Sequence, residues 1–305
     1  MIGAAAQPTP PAGSGGRGWA AVRRRSVIAA ALLATGLVPT PAASGEPAAA
    51  PPATAAPAPR RVVSVNLCTD QLAMLLAAPG QLVSVSHLAR DPRSSAMAAE
   101  AAAYPLNRGG AEEVYLMRPD LVLAGSFGGA PVAMLDRLGV RVVTLPPPAS
   151  LDDLRAGIET IGAALGREAA AAKLLAALDA RLARLRRPVG PDAPLAATWG
   201  ANGYSAGSAT LAGDVLTAAG YTLLADRLGL RGAGNIPLET LVMADPALIV
   251  TGTRYPRASR AEEVVHHPAL ESLDGRVVEI ADADWTCGIP QVLDALEKLA
   301  SAVPE

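Results

Sequence analysis

Aromatic side chains are scarce in this chain. One phenylalanine, five tyrosines and three tryptophans make up 3% of its 305 residues, which leaves few rings on which a flat ligand can stack. Positive charge is not in excess either. Lysine and arginine number 26 against 28 aspartates and glutamates, for a net charge of −2 and no broad basic patch, so nucleic acid is excluded as an expected partner. Histidine occurs only at His87, His266 and His267. Adjacent histidines seldom face one ion, and a dedicated zinc site wants three or four ligands, so these read as surface residues rather than a metal centre. No internal stretch is long and apolar enough to span a bilayer. Two cysteines, Cys68 and Cys287, exclude a disulfide scaffold but permit one bridge. What remains is a chain that is half apolar, with alanine carrying much of the total, and long enough for two domains.

The first 59 residues read as export and tether. Arg23, Arg24 and Arg25 precede the short apolar run SVIAAALLATGLV, and small residues follow near Ala43 to Gly45. That is the plan of a signal peptide over 1–45. Arg24-Arg25 also fits a twin-arginine signal, and Sec export stays open beside it. No cysteine follows the apolar run, so no lipid anchor is expected. The Pro/Ala-rich stretch 46–59 reads as a linker without a core.

The body of the chain repeats itself. EEVYLMRPDLVLAG (Glu112 to Gly125) and ETLVMADPALIVTG (Glu239 to Gly252) align without a gap. Each reads as a short helix opened by a glutamate, a turn at a proline and a fully apolar strand of the kind buried in parallel sheets. Between the copies lies a helical stretch, Ser150 to Arg187. Ser150 caps it, Asp152 and Asp153 charge its first turn, Pro146–Pro148 precede it and Pro188 follows it. As one rod it would reach roughly 55 Å, although Gly157, Gly162 and Gly166 each weaken it and Gly166 marks a place where it can break.

The reading is therefore α/β: two Rossmann-like lobes with parallel sheets, residues 60–149 and 188–305, bridged by one long helix over 150–187. Strands are expected at Arg61–Asn66, LVSVS and VRVVTL in the first lobe and at LAATW and RVVEIA in the second. Thr69 or Asp70 is the expected N-cap of the first helix. Parallel sheets place their sites at the carboxyl ends of strands. In this chain Asn66, Cys68, His87, Phe127, Trp199, Tyr204, Arg254, Tyr255 and Trp285 gather there.

Three motifs carry competing readings. Gly203-Tyr204-Ser205-Ala206-Gly207 fits the G-x-S-x-G elbow, which would make Ser205 the nucleophile of an exported hydrolase, with Asp226 or Asp245 and His266 or His267 as partners. Against it, the strand ends near Trp199 and the next helix begins only near Leu211, so a binding loop is the stronger reading. Cys68 and Cys287 each lie between a strand and a helix. They are a disulfide locking the two lobes, two thiols able to touch a bound metal centre, or two unpaired small side chains. Glu112 and Glu239 either serve only their helix N-termini or form a matched pair of carboxylates, one per lobe, on one outer face.

Taken together, RVVSVNLCTDQLAMLLA, the two repeat copies, the helical stretch, SAGSATLAGDVLTAAGY and ADWTCGIPQVLDAL resemble, in order and spacing, the periplasmic substrate-binding proteins of ABC importers for vitamin B12, ferric siderophores and haem. The vitamin B12 branch is the most similar. The resemblance covers about residues 60 to 303. It implies no enzyme and no resident cofactor. It implies a monomer that clamps a metal chelate in a cleft between lobes and docks on the permease through Glu112 and Glu239. Trp285 matches an aromatic of the B12 cleft, whereas Leu88 and Leu106 or Asn107 stand where a tyrosine and a tryptophan are expected. The ligand-contacting set is thus expected to include Trp285, Cys68, Asn66, Leu88, Asn107, Phe127, Tyr204, Arg254, Tyr255 and Cys287, for a corrinoid first. A siderophore would draw on Arg90, Arg108, Arg254 and Arg257, and haem on Tyr104, Tyr255 or His87.

Overall fold

The computed structural model describes residues 57–253, 259–271, 273 and 276–303. The signal peptide, most of the linker, and Arg254, Tyr255 and Arg257 lie outside the described residues. No helix among those described is long and apolar enough to cross a membrane.

The first lobe runs β1 (Val62–Ser64), α1 (Leu67–Leu76), β2 (Leu82–Ser86), β3 (Leu106–Asn107), α2 (Ala111–Leu116), β4 (Leu121–Gly125), α3 (Gly129–Arg137) and β5 (Val142–Leu145). Its five strands are parallel in the order β3-β2-β1-β4-β5. The helix α1 is capped by Asn66, whose side chain accepts from the N–H groups of Cys68 and Thr69. The cap thus lies three to four residues earlier than Thr69 or Asp70. Those two are buried in the helix, where Asp70 accepts from the backbone N–H and hydroxyl of Ser86 at 3.1 and 2.5 Å.

The bridge consists of α4 (Leu151–Leu165) and α5 (Glu168–Leu185). Ser150 caps α4 by accepting from the Asp153 N–H. The single long helix expected from the sequence is broken at Gly166, which adopts φ 65°, ψ 37°. The Arg167 N–H turns back to the Gly162 carbonyl at 2.7 Å, closing the helix end. The two helices then run side by side in opposite directions. Arg155 of α4 pairs with Asp179 of α5, and a Cβ on Gly162 would lie 2.5 Å from the Cβ of Ala171. The bridge is a helical hairpin, and neither arm approaches the length of a single rod. A residue without a side chain at 166 permits the left-handed turn, and another at 162 lets the arms close.

The second lobe runs β6 (Leu195–Thr198), β7 (Tyr204–Ala206), α6 (Leu211–Ala218), β8 (Thr222–Leu223), α7 (Leu224–Arg227), β9 (Ala233–Asn235), α8 (Leu238–Ala244), β10 (Leu248–Thr251), α9 (Pro268–Glu271), β11 (Val277–Glu279), α10 (Asp282–Trp285) and α11 (Val292–Ser301). Four strands form a parallel sheet, β11-β10-β6-β8, and β7 pairs antiparallel with β9. The repeat is structural as well as sequential. The copies become α2 followed by β4 and α8 followed by β10. The residue before each repeat proline, Arg118 or Asp245, has a positive φ of 50° or 46°. An arginine side chain donates to the backbone at each of these turns: Arg61 to the carbonyls of Met117 and Arg118, Arg276 to that of Pro246.

Alternation along the strands sorts the core. Val62, Leu121 and Leu123 face the hairpin side of the first sheet, whereas Val63 and Val122 face α2 and α3. In the second sheet Ala196, Leu248 and Val250 face one way and Leu195, Ala197 and Ile249 the other. The inward residues of both sheets join Leu154, Ile158, Ile161, Leu175 and Leu178 of the hairpin and Leu293, Leu296 and Leu299 of α11 in one continuous cluster. The lobes therefore share a core, which opposes large rearrangement between them. A covalent link adds to it. Cys68, in the first turn of α1, is bonded to Cys287, which lies between α10 and α11, across 219 residues of chain.

Candidate functional site

In the second lobe the strand order reverses between β6 and β10, the place where a doubly wound sheet opens a crevice. A cavity of about 560 Å³ occupies it. Thr198, Trp199 and Gly200 come from the end of β6. Val250, Gly252 and Thr253 come from the end of β10, and Asp282, Trp285 and Thr286 from α10 and its exit. Tyr204, Thr210, Glu262 and His266 add polar groups to the wall.

Local chemistry explains how the rings get there. Trp199 follows β6 and is buried, its backbone N–H donating to the Val250 carbonyl at 2.8 Å. The chain then folds over its ring. The Gly200 N–H donates to the Tyr204 carbonyl at 2.9 Å, and Gly203 has φ +74°. A Cβ on Gly203 would lie 2.9 Å from the Trp199 ring and 2.3 Å from the Ile236 carbonyl oxygen, so this position requires glycine. Tyr204 is left half exposed at the cavity. Trp285, partly buried on α10, rests one side on the shared core. The Trp199 Nε1–H is buried with no acceptor among the described residues.

The charge of the wall is one-signed among the described residues: Glu262 and Asp282 line it, and no lysine or arginine does. Burial pushes the Asp282 carboxyl above its ordinary range. Glu262 accepts from the Ser259 N–H at 2.6 Å. No three His, Cys, Asp or Glu among the described residues converge to hold a metal ion.

The expected contact residues divide. Trp285 and Tyr204 line the cavity, and Trp199 joins them. In the first lobe the strand order reverses between β1 and β4. Asn66 turns back to cap α1, and its Nδ2 would lie 2.6 Å from a Cβ on Gly125. Asn107 is buried and saturated: Nδ2 donates to the Ser64 carbonyl and the Ser84 hydroxyl, and Oδ1 accepts from the Gly109 N–H. Its role is to join β3 to β1 and β2, not to meet a ligand. Leu88 and Phe127 are exposed, the latter 88%, and neither borders the cavity. Cys68 and Cys287 are spent on the disulfide, so neither is a thiol available to a metal. Arg254 and Tyr255 follow Thr253 directly but lie outside the described residues. His87, Tyr104, Arg90 and Arg108 do not line the cavity. The Arg90 guanidinium donates to the carbonyls of Ala101, Ala102 and Tyr104.

The hydrolase elbow is absent. Ser205 lies within β7, wholly buried, and its hydroxyl donates to the Thr198 carbonyl at 2.7 Å. Asp226 accepts from the Ser208 N–H. The serine ties β7 to β6 and presents nothing to a substrate.

Glu262, Asp282, Thr210 and Thr286 escaped the sequence reading because they come from three separate segments. Only their positions just after strands or at helix starts hinted at them. Glu112 and Glu239 stand exposed in the first turns of α2 and α8.

A family model described as periplasmic binding protein matches residues 62–275. No curated protein sequence matches the chain significantly. Among solved structures, the periplasmic haem-binding protein RhuT of a Roseiflexus species is 21% identical. It superposes with a TM-score of 0.64, over 80% of this chain and 97% of its own. The periplasmic vitamin B12-binding protein BtuF of Vibrio cholerae is 17% identical at a TM-score of 0.59, over 80% and 96%. An ABC-type Fe3+-hydroxamate transport protein of Saccharomonospora viridis is 22% identical at 0.61, over 80% and 93%. At these identities the likeness is one of fold.

Proposed function

The chain belongs to the periplasmic binding protein family, and on that footing we propose that it is an exported solute-binding protein that captures a metal chelate and hands it to an inner-membrane ABC importer. The family is one of binding proteins rather than enzymes. The leader over 1–45 carries the chain to the periplasm, the segment over 46–59 serves as a linker, and the protein works as a monomer.

A corrinoid is the ligand the cavity supports best, ahead of a ferric siderophore or haem. The observation that carries this choice is the pair of carboxylates on the wall, Glu262 and Asp282. A corrin is rimmed by neutral amides. Haem carries two propionates, and many ferric siderophores are anionic. The two carboxylates would repel either, and desolvation would sharpen the repulsion. Trp199, Tyr204 and Trp285 supply apolar and aromatic contact for the ring face, while Thr210 and Thr286 offer hydroxyls to amides at the rim. Trp285 on the cavity wall stands two residues before Cys287, whose disulfide reaches the first lobe, so a large ligand seated there lies near the junction of the lobes.

Haem keeps one specific argument. His266 and Tyr204 are both on the cavity wall, and either type of side chain can ligate iron. Calorimetric titration of the mature protein with cyanocobalamin, haemin and a ferric hydroxamate separates the readings. Submicromolar binding of the corrinoid alone is expected. Tight binding of haemin with a Soret shift lost in His266→Ala would replace the ligand and keep the transport role.

A further inference from the structure

The two cysteines of the chain join the start of α1 in the first lobe to the segment that leaves the cavity wall in the second. Asp282 and Trp285 of α10 and Thr286 at its exit line the cavity, and Cys287 is the next residue. The helix α10 is four residues long, and a single turn does not hold its shape by its own hydrogen bonds. Upstream it is tied to the second sheet, where the Ile280 N–H donates to the Thr251 carbonyl at 2.9 Å. In its middle Trp285 rests on the shared core. Downstream the disulfide keeps the Cα atoms of Cys68 and Cys287 5.1 Å apart. Beyond Cys287 the chain has other anchors. A Cβ on Gly288 would lie 3.0 Å from Pro148, Ile289 is fully buried, and α11 places Leu293, Leu296 and Leu299 in the shared core. The core thus holds the lobes together whether or not the bond is made, and the local effect of the bond falls on α10 and the cavity residues it carries.

The two sulfurs are not alike in access. Cys287 is 1% exposed, whereas Cys68 is partly exposed and borders a small cavity of about 90 Å³ beside Pro146, Pro148 and Gly288. We propose that the Cys68–Cys287 bond is a site of thiol–disulfide exchange that sets the affinity of the ligand cavity: oxidised, it fixes the α10 wall, and reduced, it lets α10 move and the ligand leave. The inference rests on this cavity being the ligand site. The co-reactant is a dithiol, the chemistry of a thiol–disulfide oxidoreductase. One of its thiolates attacks the Cys68 sulfur, the bond to Cys287 breaks, and Cys287 leaves as a thiolate that takes up a proton. The second thiol of the reductant then attacks the mixed disulfide, and Cys68 leaves. Its thiolate forms in the first turn of α1, where the helix N-terminus favours negative charge. The dithiol ends as a disulfide and the protein as two thiols, with two electrons and two protons transferred.

The test compares the mature protein before and after dithiothreitol, with the reductant removed under argon and the two thiols counted by alkylation and mass spectrometry. Circular dichroism, hydrogen exchange and calorimetric titration with cyanocobalamin, haemin and a ferric hydroxamate follow on each form. The expected reduced protein is folded and exchanges the amides of residues 282–287 at least about tenfold faster, with those of α11 unchanged. Its affinity for the ligand that the oxidised form binds is at least about tenfold lower and returns on reoxidation with oxidised glutathione. The variant Cys68→Ser, Cys287→Ser should bind as the reduced protein does and ignore the reductant. A bond that dithiothreitol does not open in the folded protein overturns the inference. So does a reduced protein that unfolds, one whose affinity and exchange at 282–287 match the oxidised form, or a response to reductant in the double variant. If the oxidised form binds none of the three ligands, the ligand reading falls, and exchange at 282–287 alone decides whether the bond governs the wall.

Discussion

Cys68 and Cys287 are bonded to one another although one opens the first helix of the first lobe and the other precedes the last helix of the second. The bond closes a loop of more than two hundred residues around the hairpin. Together with the shared core, it makes the two lobes one mechanical unit.

Removing that bond should therefore be costly. In the chain-entropy account a loop of this length stabilises by roughly 5 kcal/mol. The variant Cys68→Ser, Cys287→Ser should lower the urea midpoint by a corresponding amount, and a reducing agent should do the same to the parent protein. A change below about 1 kcal/mol would mean that the unfolded chain is not constrained in the way the loop length implies.

The two cavity tryptophans should separate function from stability. Trp199 is buried under the Gly200–Tyr204 loop, and Trp199→Ala should cost about 3–5 kcal/mol in unfolding free energy. Trp285 is only partly buried, so Trp285→Ala should remain folded while ligand affinity falls at least about tenfold. Thermal unfolding and calorimetry on the same samples check both. Unchanged affinity in Trp285→Ala would remove it from the site.

The hairpin makes a pairwise prediction. Gly162→Ala places a methyl group against Ala171, and the overpacking should cost about 1–3 kcal/mol despite the better helix propensity of alanine. Adding Ala171→Gly should recover part of the loss. The double-mutant cycle should give a coupling near 1 kcal/mol, whereas in a straight rod the two residues would be independent.

Asp70 should make stability depend on pH. Burial pushes its carboxyl up to about 6 in the folded protein, against 3.8 unfolded. Between these values the folded state holds a proton that the unfolded state has lost, so stability falls as pH rises through the interval, by an amount on the order of 3 kcal/mol. Below pH 4 both states are protonated and the dependence ends. Asp70→Asn should flatten the urea midpoint between pH 4 and 6. A parent protein that grows more stable over that interval would place the dominant titration elsewhere.

Much of this architecture is written in local pattern. The apolar strands, the Ser150 cap and the repeat at Glu112 and Glu239 depend on residues near one another in the chain, and each was legible. So was Gly166 as a weak point, because a glycine in a helix interior is costly wherever the helix lies. The N-cap of α1 was misplaced because Asn66, Thr69 and Asp70 are all capping types, and only the bond from Asp70 to Ser86 on the next strand decides which of them enters the helix.

What the sequence by itself determined is the alternation of strand and helix and the doubling of the lobe, since these follow from periodicity and turn chemistry. The tertiary structure decided the rest. It turned the rod into a hairpin, because whether the chain reverses at Gly166 depends on whether Gly162 and Ala171 can touch. It paired the cysteines, because proximity across 219 residues is not a local property. It also set apart the two places where the strand order reverses. Asn66 leans onto Gly125 in the first lobe, while Trp199 is folded under Gly203 in the second. Side chains of similar promise in the chain thus became a structural cap in one lobe and the wall of a cavity in the other.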